Sequence, residues 1–315
     1  MAKLRSLIFY FLLISFSLSC FTGCFTGIES TKKINLSRED KKNIKPSDEE
    51  IFYGGIPGYP VKEWKEGKEF LVTDNKALLV FEPLHIPFNF KDIDLEGKII
   101  QYSGKETRID AAGNNILTIN FKDSIFTLPY NTGKPVDQAM SDFTSSQIPM
   151  LIDLQMVEEA NQKLRGLKLW TRTFLWYDVN GERINGKKFV PVTIIEVLPG
   201  NMVFPFKLKI KDENNEIAYM YMNAGISPTD SRAFHHLFSL TDIRHNYHSI
   251  NDNIWDLICK GEITSGMTKE ECRLALGNPK EISAGHDYSR TLDIWNYENG
   301  TVLWFEDGIL SRYRK

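Results

Sequence analysis

Short segments in which apolar and polar residues alternate, separated by turn-forming residues, constrain the fold of this chain most strongly. Between about residues 67 and 130 they are KEFLVT, ALLVFE, GKIIQY, NNILTINF and SIFTLPY, with Gly, Asp and Asn between them. Alternation with a period of two, bounded by such residues, is typical of β-strands. The sequence therefore predicts a mainly β fold.

A second block of the same kind spans residues 168–223 and contains the hairpin-favouring pairs Asn180-Gly181 and Asn185-Gly186. Short strands at this spacing predict small antiparallel barrels of SH3-like or OB-like type. Residues 97–123 and 186–212 have equal length, open with Gly-Lys and close with Lys-Asp. Few interior residues are identical, so a tandem repeat and two unrelated blocks both stay open.

A helix is predicted between the two blocks, at residues 148–166. Pro149 suits the first helical position, and Gly166 suits the end. Apolar residues recur at helical spacing in between: Ile152, Met156, Val157, Ala160 and Leu164. Residues 135–143 are a weaker helix candidate.

Residues 266–279, GMTKEECRLALGNP, predict a two-turn helix that is capped at both ends. Thr268 and Glu271 have the spacing of a capping box, and Met267 with Cys272 that of a hydrophobic staple. The end is marked by Gly277, expected in the left-handed conformation, and Pro279 blocks continuation. So short a helix must dock its apolar side, Cys272, Leu274 and Leu276, on a larger structure.

Three strands are predicted after this helix: DIWNYE, TVLWFE and ILSRYR, joined by turns at Asn299-Gly300 and Asp307-Gly308. Between residue 231 and this capped helix, the sequence also has a helical pattern. The C-terminal part of the chain is therefore expected to be an α+β module of two short helices and a three-stranded meander.

This module resembles the SmpA/OmlA family, the small BamE-like outer-membrane lipoproteins of the β-barrel assembly machinery. The resemblance covers roughly Trp255 to Lys315. It implies an ααβββ scaffold without a catalytic role, and it makes Ile282, Trp295 and Trp304 candidate contacts for a partner. It depends on the aromatic strands and on Gly266, Met267, Thr268, Glu271, Leu276, Gly277 and Pro279. The whole chain also looks like lipoproteins of Bacteroidetes-type bacteria.

The first residues resemble a bacterial lipoprotein signal. Lys3 and Arg5 precede an apolar run, and Cys24 follows small residues that suit lipidation. Cys20 is the alternative lipidated residue, and a transmembrane anchor is the competing interpretation of the apolar run. The polar residues 24–50 then predict a flexible tether.

Other chemistry is expected to be absent. The net charge of −3 without a basic block argues against nucleic-acid binding. No nucleophile-elbow, zinc-protease, P-loop or dinucleotide motif occurs, so neither an enzyme nor a cofactor is expected. His245 and His248 have helical spacing, but no further ligand completes a metal site. Cys259 and Cys272 are expected either to form a disulfide or to be buried thiols.

Several aromatic residues are either core residues or a platform for sugar or peptide: Trp170, Trp176 and Tyr177 of the second block, and Trp295 and Trp304 of the C-terminal part. The expected organisation is a signal peptide at 1–23, a tether at 24–50, a first β module at 51–145, a helix plus second β module at 146–230 and a BamE-like domain at 231–315.

The expected function is a non-enzymatic scaffold or interaction factor of the cell envelope, in contact with envelope protein partners. Lipidation would hold it on the outer membrane. Phe25, rather than an Asp, follows Cys24, and no acidic run is present, so the periplasmic face is expected. The alternative function is binding of cell-wall glycan or peptide by SH3-like β modules.

Overall fold

The computed structural model describes residues 45–81, 94–123, 126–226, 230, 232–287 and 290–315. Cys20, Cys24 and the rest of residues 1–44 lie outside this part of the chain. The fold is mainly β with several helices, and its sheets are antiparallel. The chain divides into two compact units after Gly261, whereas the sequence predicted the C-terminal domain to begin at residue 231.

The helices and strands of the larger unit follow one another in this order: α1 Asp48–Tyr53, β1 Glu69–Val72, β2 Ile99–Ile109, β3 Asn115–Lys122, β4 Thr127–Pro135, α2 Val136–Asp142, β5 Leu151–Asp153, α3 Leu154–Leu164, β6 Lys168–Thr171, β7 Leu175–Tyr177, β8 Arg183–Asn185, β9 Pro191–Pro199, β10 Phe206–Asp212, β11 Ile217–Met222, α4 Phe234–Leu237, β12 Phe238–Ser239 and α5 Asp252–Lys260. Residues 48–50, expected in the tether, form the first turn of α1, because Ser47 caps this helix through a capping box with Glu50.

Two sheets of the larger unit share one strand order. The first sheet reads β4-β3-β2-β1-β5, and the second reads β12-β6-β9-β10-β11-β7-β8. Without the inserted hairpin β7–β8, the second order is the first read in reverse. In both sheets a short helix follows the fourth strand and leads to a short strand that pairs with the first strand. The segments 97–123 and 186–212 form the matching hairpins β2–β3 and β9–β10, so the topology supports a tandem repeat.

The second sheet curls into a half-barrel. Strand β6 ends at Thr171 and β7 begins at Leu175, yet β9, β10 and β11 lie between them in the sheet. In a flat sheet these two strands would lie about 19 Å apart, since neighbouring strands are about 4.8 Å apart. The connecting chain spans at most about 14 Å. The two ends of the sheet must therefore approach each other.

Strand alternation places the core of each sheet. In β10 the apolar residues Phe206, Leu208 and Ile210 are buried, and the intervening residues point outward. Helix α3 and residues of α1 and α4 complete this core, which includes Tyr53, Met156, Ala160, Ile194, Met220 and Phe234. The first sheet has a core of its own that includes Phe70, Leu95, Ile100, Ile119, Phe121 and Phe143.

The helix predicted at 148–166 begins later than expected. Leu151–Asp153 forms strand β5, paired with β1, and α3 covers only Leu154–Leu164. Asp153 caps α3 by accepting from the Gln155 amide, and Met150 has a positive φ that no helix adopts. The expected first position, Pro149, therefore lies before the closing strand, not in the helix.

The prediction of a strand at ALLVFE is also wrong. Residues 75–79 form a 3-10 helix, because the Asp74 carboxylate accepts from the Lys76 amide and caps this turn. Ala77 and Leu78 are buried in this conformation. Asn180-Gly181 does join β7 to β8, whereas Asn185 is the last residue of β8, and no hairpin joins β8 to β9.

The smaller unit contains one helix and one sheet: α6 Lys269–Leu276, β13 Glu281–Asp287, β14 Arg290–Asn296, β15 Val302–Glu306 and β16 Ile309–Arg314. The sheet is a meander in the order β13-β14-β15-β16. The sequence predicted three strands. The additional strand, β13, pairs along its whole length with β14, with Ile282 opposite Trp295. Helix α5, expected in this domain, belongs to the larger unit.

Helix α6 has the caps that the sequence predicts at its start. Thr268 Oγ1 accepts from the Glu271 amide at 3.2 Å, and Glu271 Oε2 accepts from the Thr268 amide at 2.7 Å. The helix buries Cys272 and Ala275, while Leu274 and Leu276 are half-buried. Gly277 has φ +83° and ψ −167°. This is not the expected left-handed helical conformation but the extended region at positive φ that only glycine adopts readily.

A buried ionic network closes the first sheet. Lys68 Nζ lies 2.7 Å from Asp153 Oδ1, and both side chains are almost fully buried. Ser145 Oγ donates to the other carboxylate oxygen of Asp153 at 2.7 Å. Removing one partner of a buried ion pair leaves the other charge uncompensated. This network therefore holds the closing strand β5 beside β1.

We expect Asp153→Ala to lower the free energy of unfolding of the larger unit by about 3–5 kcal/mol, because Lys68 would stay buried without its counter-ion. Urea denaturation followed by tryptophan fluorescence measures this change. Asp256→Ala is the matched control, since it removes the exposed pair Asp256–Lys260 and should change stability little. Equal losses in the two variants would contradict the structural role of the network.

We expect Thr268→Ala to destabilise the smaller unit by about 1 kcal/mol through loss of the N-cap.

Gly277→Val should destabilise the smaller unit by about 1–3 kcal/mol, because valine disfavours this backbone conformation. A Cβ at Gly277 meets no atom within 4 Å, so the cost is conformational. Gly285→Val is the control, at an open strand position without positive φ. Thermal unfolding tests this, and equal midpoints for the two glycine variants would contradict it.

Candidate ligand-binding surface

The outer face of the half-barrel carries a row of lysine and tyrosine side chains. On β10, Lys207, Lys209 and Lys211 alternate with the buried core residues. On β11, Tyr221 lies opposite Lys207 and Tyr219 opposite Lys209. Residues that are directly opposite one another share a face of the sheet. The three lysines and Tyr221 are half-buried on this face, and Tyr219 is buried beneath Lys207.

Cations and aromatic rings on this face alternate in direct contact. Lys207 Nζ lies 4.6 Å from the ring centre of Tyr219 and 5.9 Å from that of Tyr221. The Tyr221 ring meets Tyr177, the partner of Tyr219 on β7, edge-on at 5.1 Å. The Arg232 guanidinium lies 5.2 Å from the Tyr177 ring centre and 4.6 Å from that of Phe204. We call these six residues, Tyr177, Phe204, Lys207, Tyr219, Tyr221 and Arg232, the aromatic ladder.

The aromatic ladder joins the tips of two hairpins. Lys207 Nζ donates to the Val179 carbonyl at 2.7 Å, at the β7–β8 turn. Arg232 Nη2 donates to Tyr177 Oη at 2.5 Å and also covers Phe204, which lies in the β9–β10 turn. Large apolar side chains are exposed at both tips: Val179, Met202 and Val203. The face thus combines fixed cations, aromatic rings and an apolar border.

The electrostatics of this face are positive. Burial raises the pKa of the Tyr221 hydroxyl, and Tyr177 and Asp178 add to this effect while Arg232 opposes it. Tyr221 therefore stays neutral at physiological pH. Within the described ranges, none of Lys207, Lys209, Lys211 and Arg232 forms an ion pair with a carboxylate. Such a surface can bind an anionic group.

Of the five aromatic residues that the sequence suggested as a platform, only Tyr177 belongs to the aromatic ladder. Trp176 is part of the core, and Trp170 is half-buried on β6. Sequence reasoning missed Phe204, Lys207, Tyr219, Tyr221 and Arg232. The alternating runs KLKIKD and YMYM were the available signal for the lysines and tyrosines. Phe204 and Arg232 had no such signal.

The candidate contact residues of the smaller unit have different environments. Trp295 is 1% exposed and packs against Phe305, with Arg273 over its ring. It therefore stabilises the core and cannot contact a partner directly, which corrects the expectation. Trp304 is half-buried beneath Arg312, and Ile282 is exposed on β13. The motif residues Gly266 to Pro279 shape and cap α6.

A second charged cluster lies where α1 docks on α4 and β12. Arg172 Nη2 and Ser239 Oγ approach Glu49 Oε1 at 3.1 and 3.3 Å. Burial would raise the pKa of Glu49, but hydrogen bonds and Arg172 outweigh it and hold the pKa below its ordinary value. Beside it, His235 lies 3.7 Å from Glu50. Burial, followed by His236, lowers the pKa of His235; Arg172 lowers it further, while Glu50 and Glu49 oppose the change.

Other residues that the sequence suggested do not converge. His245 and His248 are exposed around a 3-10 helix, and the part of the chain that is described contains no group of three or more His, Cys, Asp or Glu placed to hold a metal ion. Cys259 and Cys272 are buried free thiols. Burial raises their pKa values to about 11 and about 12.

Among the described helices, none has the length and apolar character needed to cross a membrane.

Comparison of this chain with protein-family models, with curated proteins and with solved structures finds no match.

We expect the docking of α1 to weaken as the pH falls below 6.5. The pKa of His235 in the folded protein lies below its ordinary value of 6.5, so the unfolded chain binds more protons in the window between the two values. The free energy that His235 contributes to docking is therefore fully present above this window and is lost as the pH falls through it. Glu49 adds a further loss only below 4.5, as its depressed pKa is passed.

Hydrogen exchange of the α1 amides between pH 5 and 7.5 measures this effect, after correction for the intrinsic pH dependence of exchange. His235→Gln is the informative variant, because it removes the titrating group and should flatten the profile. A profile that is identical in wild type and His235→Gln would show that another group controls the docking.

Proposed function

We propose that this protein is a non-enzymatic, lipid-anchored binding protein of the bacterial cell envelope, in which two SH3-like β modules hold a cell-wall peptide or glycan. The observation that supports this most directly is the strand order that both sheets of the larger unit share. One module present twice in a chain suits a repetitive ligand, because the second contact benefits from a high effective concentration.

The order favours the SH3-like over the OB-like alternative. Four strands form a meander in the first sheet, and after a helix the short fifth strand returns to pair with the first. A 3-10 helix at Ser145–Gln147 precedes this fifth strand, as is usual in SH3-like barrels. An OB-fold has a Greek-key order instead. The second sheet differs by the inserted hairpin β7–β8, which extends the meander and supports the aromatic ladder.

The smaller unit favours a second role, contact with an envelope protein. Its capped helix and aromatic antiparallel sheet support the BamE-like interpretation, although it has four strands and one helix. Trp304 and Ile282 are the residues that we propose for this contact. Lipidation of Cys24, with Cys20 as the alternative, would hold both units at the periplasmic face of the outer membrane. No catalytic step is part of this proposal.

We expect full-length protein in mild detergent to sediment with purified peptidoglycan sacculi and to be released by soluble cell-wall fragments. Quantitative pelleting measures the bound fraction, and a lipoprotein with an unrelated fold controls for trapping. Retention that matches this control would contradict cell-wall binding. In that case, recovery of a defined envelope protein by crosslinking would favour the scaffold function.

A further inference from the structure

We infer that the outer face of the half-barrel binds an extended peptide that carries carboxylates at alternate residues. The cations that would bind it are Lys207 and Arg232 of the aromatic ladder together with Lys209 and Lys211, and the buried Tyr219 ring supports Lys207 from beneath. This inference rests on the proposed role as a binding protein, and it assigns one surface and one ligand chemistry to that role.

The spacing of the cations matches an extended chain. Lys207, Lys209 and Lys211 lie two residues apart on one strand, so their Cα atoms are separated by about 6.8 Å. An extended peptide directs every second side chain to one face with the same repeat. Carboxylates at alternate positions of such a peptide can therefore pair with the three lysines in register. A ligand with clustered charges does not match this geometry.

The cations keep donors for a ligand. Within the larger unit, Lys207 uses one of its three ammonium hydrogens for the Val179 carbonyl. Arg232 uses one of its five N–H groups for Tyr177 Oη. Glu196 is the cross-strand neighbour of Lys209, and Asp178 lies near Tyr221. Glu196 and Asp178 offset these four cations only in part, and this favours an anionic partner.

The aromatic rings favour a peptide over a neutral glycan. Sugars stack on open ring faces, but Arg232 covers Tyr177 and Lys207 covers Tyr219. The apolar border at the hairpin tips offers contacts to small aliphatic side chains instead. The ligand that fits both features alternates acidic and small apolar residues.

The first sheet lacks this surface. When residues 97–123 are aligned with 186–212, Thr118 takes the place of Lys207, and Lys122 takes that of Lys211. Thr118 is buried and lies opposite Asn131. The acidic-peptide site is therefore assigned to the second sheet alone, so a contact of the first sheet with the cell wall would use other residues, and Lys122 offers a matched control.

The test measures binding of fluorescent synthetic peptides to the full-length protein by anisotropy. The peptides are an alternating Glu-Ala octamer, an isomer with its four Glu in one block, and a Gln-Ala octamer. We expect one site per chain for the alternating peptide and weaker binding of the isomer. Binding should fall with added salt because exposed charges are screened.

Each of Lys207→Gln, Lys209→Gln and Lys211→Gln should weaken binding of the alternating peptide about twofold to fivefold, the range for an exposed ion pair. Lys122→Gln should leave it unchanged. Equal melting temperatures would show that the variants are folded. Unchanged binding in all three variants, or an equal loss in Lys122→Gln, would overturn the inference.

Equal affinity for the two isomers, for polyphosphate or for anionic lipid vesicles would also overturn it, because the surface would then recognise charge without spacing. The sacculus experiment separates this outcome from the broader proposal. Sacculus binding that survives in the three lysine variants, together with no peptide binding by the wild type, would leave the proposed function standing and the inference wrong.

Discussion

The return of a short strand onto the first strand of each sheet is the constraint on which the larger unit depends. Strand β5 has three residues and β12 has two, so few backbone hydrogen bonds hold them. A buried carboxylate compensates in both sheets. Asp153 of β5 pairs with Lys68 just before β1, and Glu49 pairs with Arg172 just after β6 and with Ser239 of β12. Ionic contacts therefore fix the two closures where the ladder of backbone bonds is short.

The second closure uses a residue from the start of the described chain. Glu49 and Tyr53 belong to α1, yet they pack on α4 and β12, and Tyr53 stacks on Phe234 at 5.1 Å. The Ile56 amide continues the contact by donating to the Ala224 carbonyl. The second sheet is thus complete only when chain segments from both sides of the first sheet meet. We expect contacts of such sequence separation to form late in folding, because the loop entropy must be overcome first.

The sequence predicted those helices, turns and strands whose conformation is determined by residues close to one another in the chain. The capping box of Thr268 and Glu271, the Asn180-Gly181 hairpin and most long strands follow from neighbouring residues. Strand β5 was not recognisable, because three residues buried on both faces read equally well as the first turn of a helix. Strand β13 likewise has too few large apolar residues to be recognised, and it exists because β14 pairs with it.

The candidate site was predictable only in part for the same reason. Tyr177 was identified as an aromatic residue of a strand, but its neighbours on the ladder come from three other segments. Tyr221 contacts Tyr177 directly, and Lys207 reaches it only through the Tyr221 ring. Arg232 contacts Tyr177 and joins Phe204 to it. Neither strand register nor curvature can be read from a local pattern, since both depend on which distant strands pair.

The aromatic ladder lies on positions that the core leaves undetermined. Along β10 the inward residues Phe206, Leu208 and Ile210 fill the half-barrel, and any outward side chain compatible with a strand would satisfy the fold. Three lysines on one face repel one another, and nothing in the core requires them. In the first sheet the position that corresponds to Lys207 holds a neutral, buried threonine. The charge of this face is therefore a property of the surface, and this is why we propose an extended anionic ligand for it.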